Sequence, residues 1–423
     1  GGYGDDILSG TMGSDIYKFR DGWGADTVLD DLESLVDYIA VDAIENALAW
    51  FGGKIKELDA KALQILDDAA ATSAEKIPDT LDFSETTADL TVNIRDFGDV
   101  HVSYGSNQTN EISQMEVVVT GGGSDTFVFG VNPITQEAET FNGTLDGGSV
   151  NYAKYPDAVS DVNTLDYSAV TKSVVVDLEA PEDGAPGEAQ GTSGVYNIQN
   201  VKGGSGDDTL KGSAGNNLLL GGSGDDWIEA RGGDDVLEGG AGDDTLAGGE
   251  GFDMVSYVHY EKDAGANNTT GVTVDLSQAD GEQDTVVAGI DILSSIEGAV
   301  GTDYDDTLTG DDQDNMLIGG EGADIIYGLG GADLISGDGG NDLLFGGAGD
   351  DIIEGGLGDD VMNAGFGNDT VSYIYPGRSV TVDLSLTGPQ DTVNAGQDTL
   401  RSFENIIGSR EADALTGNEE DNV

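Results

Sequence analysis

From Gly301 to Ser372 the sequence runs GTDYDDTLT GDDQDNMLI GGEGADIIY GLGGADLIS GDGGNDLLF GGAGDDIIE GGLGDDVMN AGFGNDTVS, eight gapless units of nine residues. The sixth position holds Asp306, Asn315, Asp324, Asp333, Asp342, Asp351, Asp360 and Asp369. The eighth holds Leu308, Leu317, Ile326, Ile335, Leu344, Ile353, Met362 and Val371. A fixed period with glycine crowded into its first four positions constrains the fold more tightly than any local propensity.

The physics of one unit follows from its residues. Glycine at the first, second and fourth positions supplies a turn with positive φ and a backbone open to close approach. Three residues with an apolar centre, as in Asp324-Ile-Ile-Tyr327 or Asp342-Leu-Leu-Phe345, suffice for a very short strand. Such a strand buries almost nothing alone, so the units must stack into a solenoid with inward ladders of Leu, Ile and Val. Stacking sets each sixth-position Asp over the Asp of a neighbouring coil. A column of carboxylates repels itself unless a hard cation sits in it. Calcium fits, because it takes about six to eight oxygen ligands, carboxylates and peptide carbonyls included, in tolerant geometry.

These residues closely resemble the RTX (repeats-in-toxin) family, whose GGxGxDxUx nonapeptide builds a calcium-binding parallel β-helix. The resemblance implies an all-β fold: right-handed parallel β-roll or β-solenoid arrays, with Ca2+ between turns on alternate strands. It further implies that the first six residues of each unit supply carbonyls and the Asp, and the last three the strand. Carried onto this chain, the implied ligands in the first half are Asp6 and Asp125. In the middle they are Gly203, Gly204, Gly206, Asp208, Gly221, Gly222, Gly224, Asp226, Asp235, Gly239, Gly240, Gly242, Asp244 and Asp253. In the long array they are Asp306, Gly319, Gly320, Gly322, Asp324, Asp333, Asp342, Gly346, Gly347, Gly349, Asp351, Gly355, Gly356, Gly358, Asp360 and Asp369.

Charge sets the outer bounds. Among 423 residues there are 82 Asp and Glu against 16 Lys and Arg, a net charge of −66, with 67 Gly and no Cys. Without periodicity such a composition predicts disorder; with it, the expectation is a fold conditional on metal. The acidic excess argues against nucleic acid and anionic membranes as partners. Absence of Cys excludes disulfides and thiolate metal sites. No apolar run approaches the length of a membrane span, and no signal peptide is evident. Both ends cut through the nine-residue pattern (GGYGDDILS at the start, GNEEDNV at the end), which predicts a piece of a longer protein.

In order, residues 1–31 read as three degenerate repeats with Asp6, Asp15 and Asp26 at the sixth position. Residues 32–78 predict an inserted α-helical hairpin. Val41, Ile44, Leu48 and Phe51, then Ile55, Leu58, Ala62, Ile65 and Ala69, recur at helical spacing on either side of Gly52-Gly53. Its apolar stripe is expected to pack on the roll, with a partner surface around Trp50 and Phe51 as the alternative. Residues 79–202 read as β-rich linking segments with sparse repeats, 203–256 as a β-roll of six units, and 257–300 as a linking segment. The eight-unit roll of 301–372, a linking segment of 373–407 and the start of a further array at 408–423 complete the chain. A second repeat level joins them: Leu90-Thr-Val-Asn-Ile94, Val174-Val-Val-Asp-Leu178, Val272-Thr-Val-Asp-Leu276 and Val380-Thr-Val-Asp-Leu384, followed in turn by Ile112-Ser-Gln-Met-Glu116, Ile198-Gln-Asn-Val201, Ile296-Glu297 and Phe403-Glu404 and a return to the repeats.

Asn217 and Asn315 stand at the sixth position of the second unit of each array, where Asn keeps an oxygen but loses the charge; sites there are expected to be weak or absent. Asn163 likewise stands where Asp is expected, so the first half should bind less calcium. Alternate stacking predicts about four sites in the middle array and about six in the long one. Those roughly ten ions would offset about 20 of the 66 surplus charges. Without calcium, repulsion should leave the arrays unfolded.

Nothing points to an enzyme. The two histidines, His101 and His259, lie in unrelated segments, and no zinc-protease, serine-hydrolase or phosphate-loop motif occurs. Carboxylate pairs such as Asp350-Asp351 recur at many turns, whereas catalysis needs one special pair. The resemblance implies a scaffold of a large, adhesin-like protein at the surface of, or secreted by, a Gram-negative bacterium. It also implies type I export, through regions outside this chain, with folding once extracellular calcium fills the Asp ladder. The alternatives are the calcium-folded module of a secreted protease, lipase or alginate-modifying enzyme whose catalytic domain lies elsewhere, and the receptor-binding repeats of a pore-forming toxin. A surface or glycan ligand is left open, and no membrane insertion is expected.

Overall fold

Strands three residues long are held only by what lies above and below them, and the fold is a record of those neighbours. A computed structural model describes residues 162–179, 186–258, 270–278, 281–286, 288–374, 379–393 and 395–418, together with strands and short stretches between residues 7 and 148. The predicted helical hairpin of residues 32–78 lies outside the described residues. Among the described residues there is no α-helix, only a 3-10 turn at Leu276–Gln278. The chain divides into two units, residues 1–171 with 175–200, and residues 172–174 with 201–423.

In the first unit Thr164–Asp166 pairs in parallel with Thr126–Phe129, which pairs in parallel with Leu90–Arg95. A second parallel ladder joins Thr80–Asp82, Val117–Val119, Thr144–Asp146 and Gly194–Tyr196. Leu90–Arg95, Asp99–Tyr104 and Gln108–Ile112 form an antiparallel meander. The expected short strands of the first repeats lie at Ile7–Ser9, Ile16–Lys18 and Thr27–Leu29.

In the second unit two consecutive nonapeptides make one coil, so within an array a strand pairs with the strand eighteen residues away, while the linking segments pair with the arrays across longer separations. One sheet runs in parallel register through Leu218–Ser223, Val236–Ala241, Met254–Ser256, Gly298–Val300, Met316–Glu321, Leu334–Gly339, Ile352–Glu354, Thr370–Ser372 and Asn405–Ile407. The eighth-position residues form its inward ladder: Leu219, Leu237, Val255, Ala299, Leu317, Ile335, Ile353 and Val371 are all fully buried. Each buried Leu or Ile contributes about 1.5–3 kcal/mol, so stability accrues coil by coil.

The other face is built from two sheets. The first stacks Thr209–Lys211, Trp227–Gly232, Thr245–Glu250 and Ile290–Ser294, and ends on the antiparallel strand Glu282–Asp284. The second stacks Thr273–Asp275, Thr307–Thr309, Ile325–Gly330, Leu343–Ala348, Val361–Phe366 and Gln397–Arg401, and ends on the antiparallel Gln390–Asp391. A further pair, Thr381–Asp383 with Ala414–Thr416, opens the next stack. The segment 257–300 is therefore a boundary on one face only. Its Gly298–Val300 fills a coil position in the long sheet, and its Thr273–Asp275 and Glu282–Ser294 start and stop the sheets opposite. The alternation of VTVDL had marked these residues as strands; their place in the stack depends on partners far along the chain.

Ala299 lies in register between Val255 and Leu317. Ala299→Asp should therefore destabilise the calcium-loaded protein by about 3 kcal/mol or more, the cost of an unpaired buried charge. Hydrogen exchange should show amide protection lost in strands on both sides of residue 299. Loss confined to 257–300 would mean that the arrays on either side are held independently.

Candidate metal centre

The sixth-position side chains point inward, and along each column a side chain accepts from the sixth-position amide of the coil before it. The amide of Asp226 donates to Asp244 Oδ1 at 2.8 Å, eighteen residues on, and the same bond recurs along the stack. In the six-unit array one column runs Asp208, Asp226, Asp244 to Asp291, with steps of 2.7, 2.8 and 3.1 Å. The other runs Asn217, Asp235, Asp253 to Glu297 Oε2, at 2.7, 3.0 and 2.9 Å. In the eight-unit array Asp306, Asp324, Asp342 and Asp360 lead to Asp398. Asn315, Asp333, Asp351 and Asp369 lead to Glu404. The linking segments feed the first residue: Val174 N–H donates to Asp208 at 2.7 Å and Val272 N–H to Asp306 at 2.6 Å.

Only one oxygen of each carboxylate is used in this way. Among the described residues, Oδ2 of Asp226, Asp235, Asp244, Asp253, Asp324, Asp333, Asp342, Asp351, Asp360 and Asp369 is buried with no hydrogen-bond partner. Burying a polar atom unpaired is costly, and burying an ionised one far more so. What surrounds these oxygens is more oxygen. A Cβ placed on Gly221 would meet Asp226 Oδ2 and the Gly239 carbonyl, and one on Gly328 would meet Asp333 Oδ2 and the Gly346 carbonyl. Gly203, Gly319, Gly337 and Gly346 face the same pair of groups, and Gly239 and Gly355 face their Asp Oδ2. The missing side chain leaves a small cradle whose walls are acceptors only. A hard divalent cation is the group that such a donor set fits. Calcium bound there would be held by the Asp carboxylates and first-position carbonyls, and would supply the positive charge the columns lack.

The second and fourth glycines serve the stacking itself. Gly222 and Gly240 adopt φ of 111° and 102°, and a Cβ on either would strike the carbonyl of Gly204 or Gly222 in the coil before. Gly320, Gly347 and Gly356 repeat this at the second position. Gly224, Gly242, Gly322, Gly349 and Gly358 have positive φ at the fourth and pack on the fourth residue of the preceding coil. Gly206 packs against the backbone of Lys172 and Ser173. The second position keeps its left-handed backbone even where it is Arg231, Leu329 or Asp338, at the cost of local strain.

Burial, opposed by the backbone N–H each accepts and reinforced by neighbouring carboxylates, pushes these acids up. Asp226 and Asp324 are raised to about 8. Asp244, Asp333 and Asp360 are raised to about 7. Asp208, Asp235, Asp253, Asp342 and Asp351 are raised to about 6.

The predicted ligands are not all alike. Asp208 and Asp306 open their columns and have both oxygens engaged, Oδ2 accepting from Gly204 N–H at 2.7 Å and from Thr302 N–H at 2.6 Å. Asn315 spends its amide group on the Glu297 carbonyl at 3.2 Å, and Asn217 Oδ1 accepts from Ser213 N–H at 2.7 Å. In the first unit Asp125 accepts from Leu90 N–H at 2.7 Å and donates its own amide to Asn163 Oδ1 at 3.0 Å. Asp6 lies outside the described residues. No group of three or more His, Asp or Glu side chains poised for a metal occurs among the described residues, so peptide carbonyls must complete any shell.

Sequence reasoning missed the column ends. Asp291 Oδ2 accepts from Tyr257 Oη at 3.0 Å and Thr285 Oγ1 at 3.1 Å; Asp398 Oδ2 accepts from Tyr373 Oη at 2.9 Å and Thr392 Oγ1 at 3.1 Å. Hydroxyl donors close these columns where a cation would otherwise be needed. The available signal was the parallel between Gln283-Asp-Thr-Val286 with Gly289-Ile-Asp291 and Gln390-Asp-Thr-Val393 with Gly396-Gln-Asp398. A second, outer ladder was also missed. Fifth-position side chains accept from the amide eighteen residues on, as in Asp243 N–H to Asp225 Oδ1 at 3.0 Å and Ala323 N–H to Asp305 Oδ1 at 2.8 Å.

Two outcomes follow from this geometry. Because the folded acids are raised above the unfolded value of 3.8, the metal-free fold gains from them at low pH and loses that gain as pH rises through about 6 to 8. Metal needs the deprotonated carboxylates, so calcium binding should release protons and tighten from pH 6 to pH 8. Calorimetry in buffers of different ionisation enthalpy measures both. Tyr373→Phe removes one of the two hydroxyl donors to Asp398 and should cost about 1–3 kcal/mol in urea unfolding of the calcium-saturated protein.

The comparisons with known proteins agree with this chemistry. The RTX calcium-binding nonapeptide repeat matches in four copies, at residues 197–228, 220–255, 300–335 and 336–371. No curated protein matches the chain. The two runs of matched residues span the two arrays in which the unpaired carboxylate oxygens lie. The chain carries RTX calcium-binding nonapeptide repeats, and its Asp columns are their inner walls.

Proposed function

We propose that this chain is a calcium-folded scaffold of a secreted or cell-surface protein, a right-handed β-roll that completes itself only where calcium is abundant. The observation that carries the reading is the set of buried Oδ2 atoms with no partner: four in the array of 203–256 and six in that of 301–372 among the described residues. One cation per orphaned oxygen corresponds to about ten ions. With a net charge of −66 and so many like charges stacked, the metal-free arrays are held against strong repulsion. In a cytosol poor in calcium the chain stays unfolded and suited to passage through a type I exporter; at about millimolar extracellular calcium, weak oxygen sites fill and the coils close. The function is mechanical rather than catalytic, spacing or presenting neighbouring parts of an adhesin-like protein.

Calcium titration of the purified chain, followed by far-ultraviolet circular dichroism and calorimetry with magnesium and chelator controls, tests this. A cooperative gain of β signal with about ten ions bound, not reproduced by magnesium, is the expected result. Asp342→Ala and Asp351→Ala should each lose at least one site and shift the folding midpoint to higher calcium. A chain equally folded in chelator, binding one or two ions, would overturn the reading.

A further inference from the structure

Three short returns in this chain share one backbone design: Asn197-Ile-Gln199, Ser295-Ile-Glu297 and Ser402-Phe-Glu404. The first residue of each is left-handed, with φ of 54°, 52° and 59°. The amide of the third donates to the carbonyl of the sixth-position residue it closes: Gln199 to Asn163 at 3.0 Å, Glu297 to Asp253 at 2.9 Å, Glu404 to Asp369 at 3.1 Å. The side chain of the third then accepts from the amide of that same residue, at 2.8, 2.9 and 2.8 Å.

The backbones agree; the chemistry does not. In the first return Asn163 Nδ2 donates to the carbonyls of Gly147 at 3.0 Å and Asn197 at 2.9 Å. A neutral amide group thus ties together two peptide oxygens, and the closing side chain is the neutral Gln199. In the second, the atom in place of that amide group is Asp253 Oδ2, fully buried and unpartnered. The position-one residue is again glycine, and a Cβ on Gly248 would meet the Ser295 carbonyl and Asp253 Oδ2, as one on Gly147 would meet Asn197 O and Asn163 Nδ2. The closing side chain is the carboxylate of Glu297. Two donors in one return have become an acceptor and a second negative charge in the other. The backbone shape is kept and the sign is reversed, which is what exchange of an N–H donor for a hard cation requires.

We propose that Asp253, Glu297 and the Ser295 carbonyl form a calcium site contributed by the linking segment, beyond the nonapeptides, and that Asn163 with Gln199 is its metal-free counterpart. This rests on calcium binding by the repeats. Glu297 is therefore a ligand and not simply a hydrogen-bonded stop, and the ion pins the linking segment to the array it closes. At Asp369 the return is the same, but Ala364 stands where Gly248 stands, and the proposal is confined to the Asp253 site.

The test is calcium stoichiometry by calorimetry and equilibrium dialysis on the full chain, with circular dichroism in saturating calcium as the check on folding. Glu297→Gln and the double variant Asp253→Asn with Glu297→Gln should each bind one ion fewer than the unsubstituted chain. The double variant should keep its β signal, because the neutral closure replaces the ionic one. The reciprocal variant, Asn163→Asp with Gln199→Glu, should bind one ion more, and it gives a readout even if changes at 297 impair folding. Asp342→Asn, within the nonapeptides, is the control and should lose an ion. If Asp342→Asn loses an ion while Glu297→Gln and the reciprocal variant leave the count unchanged, the linking-segment site is overturned and the repeats still bind. If Asp342→Asn also changes nothing, the calcium reading of the repeats fails first.

Discussion

One hydrogen bond, repeated every eighteen residues, governs this structure: a sixth-position amide donating to the sixth-position carboxylate of the next coil. It settles one oxygen and leaves the other buried among peptide carbonyls. The same bond that aligns the coils thus manufactures an unmet need for positive charge. Hydrophobic ladders at the eighth position stabilise the stack, but they are thin, one Leu, Ile or Val per nine residues. A thin apolar core beside a buried column of acid is a fold whose stability is set by ions.

Every departure from the column is a local answer to the same electrostatic problem. Asp291 and Asp398 receive two hydroxyl donors each. Asp208 and Asp306 receive a second amide from their own turn. Asn163 changes the acceptor into a donor. These three solutions, all within one chain, make the unpartnered oxygens of Asp226 or Asp351 the more telling, because the fold has neutral alternatives and does not use them there.

The linking segments are part of the roll rather than spacers. Gly298–Val300 occupies a coil of the long sheet, while Val272 feeds a new column and Asp291 ends the old one. One face is therefore a continuous ladder from array to array, and the other is interrupted and restarted. A single stack on one side and two on the other is a consequence of segments that return after about forty residues instead of eighteen.

The nine-residue period, the Asp at position six, the apolar residue at position eight and the recurring VTVDL were legible because each is local: a turn, a three-residue strand and a charge that repeat in register. They determined a stacked parallel β fold with columns of acid, and hence a hard cation. The partners of those acids were not legible. Asp226 and Asp208 read identically in sequence, yet one has a bare oxygen and the other a satisfied one, because Asp208 begins a column and Asp226 stands inside it. Glu297 read as part of a linker, and its contact with Asp253 spans 44 residues. Period decided the coil; tertiary register decided where each column starts, how it stops and which carboxylates are left for metal, since those depend on which distant amide or hydroxyl arrives at the second oxygen.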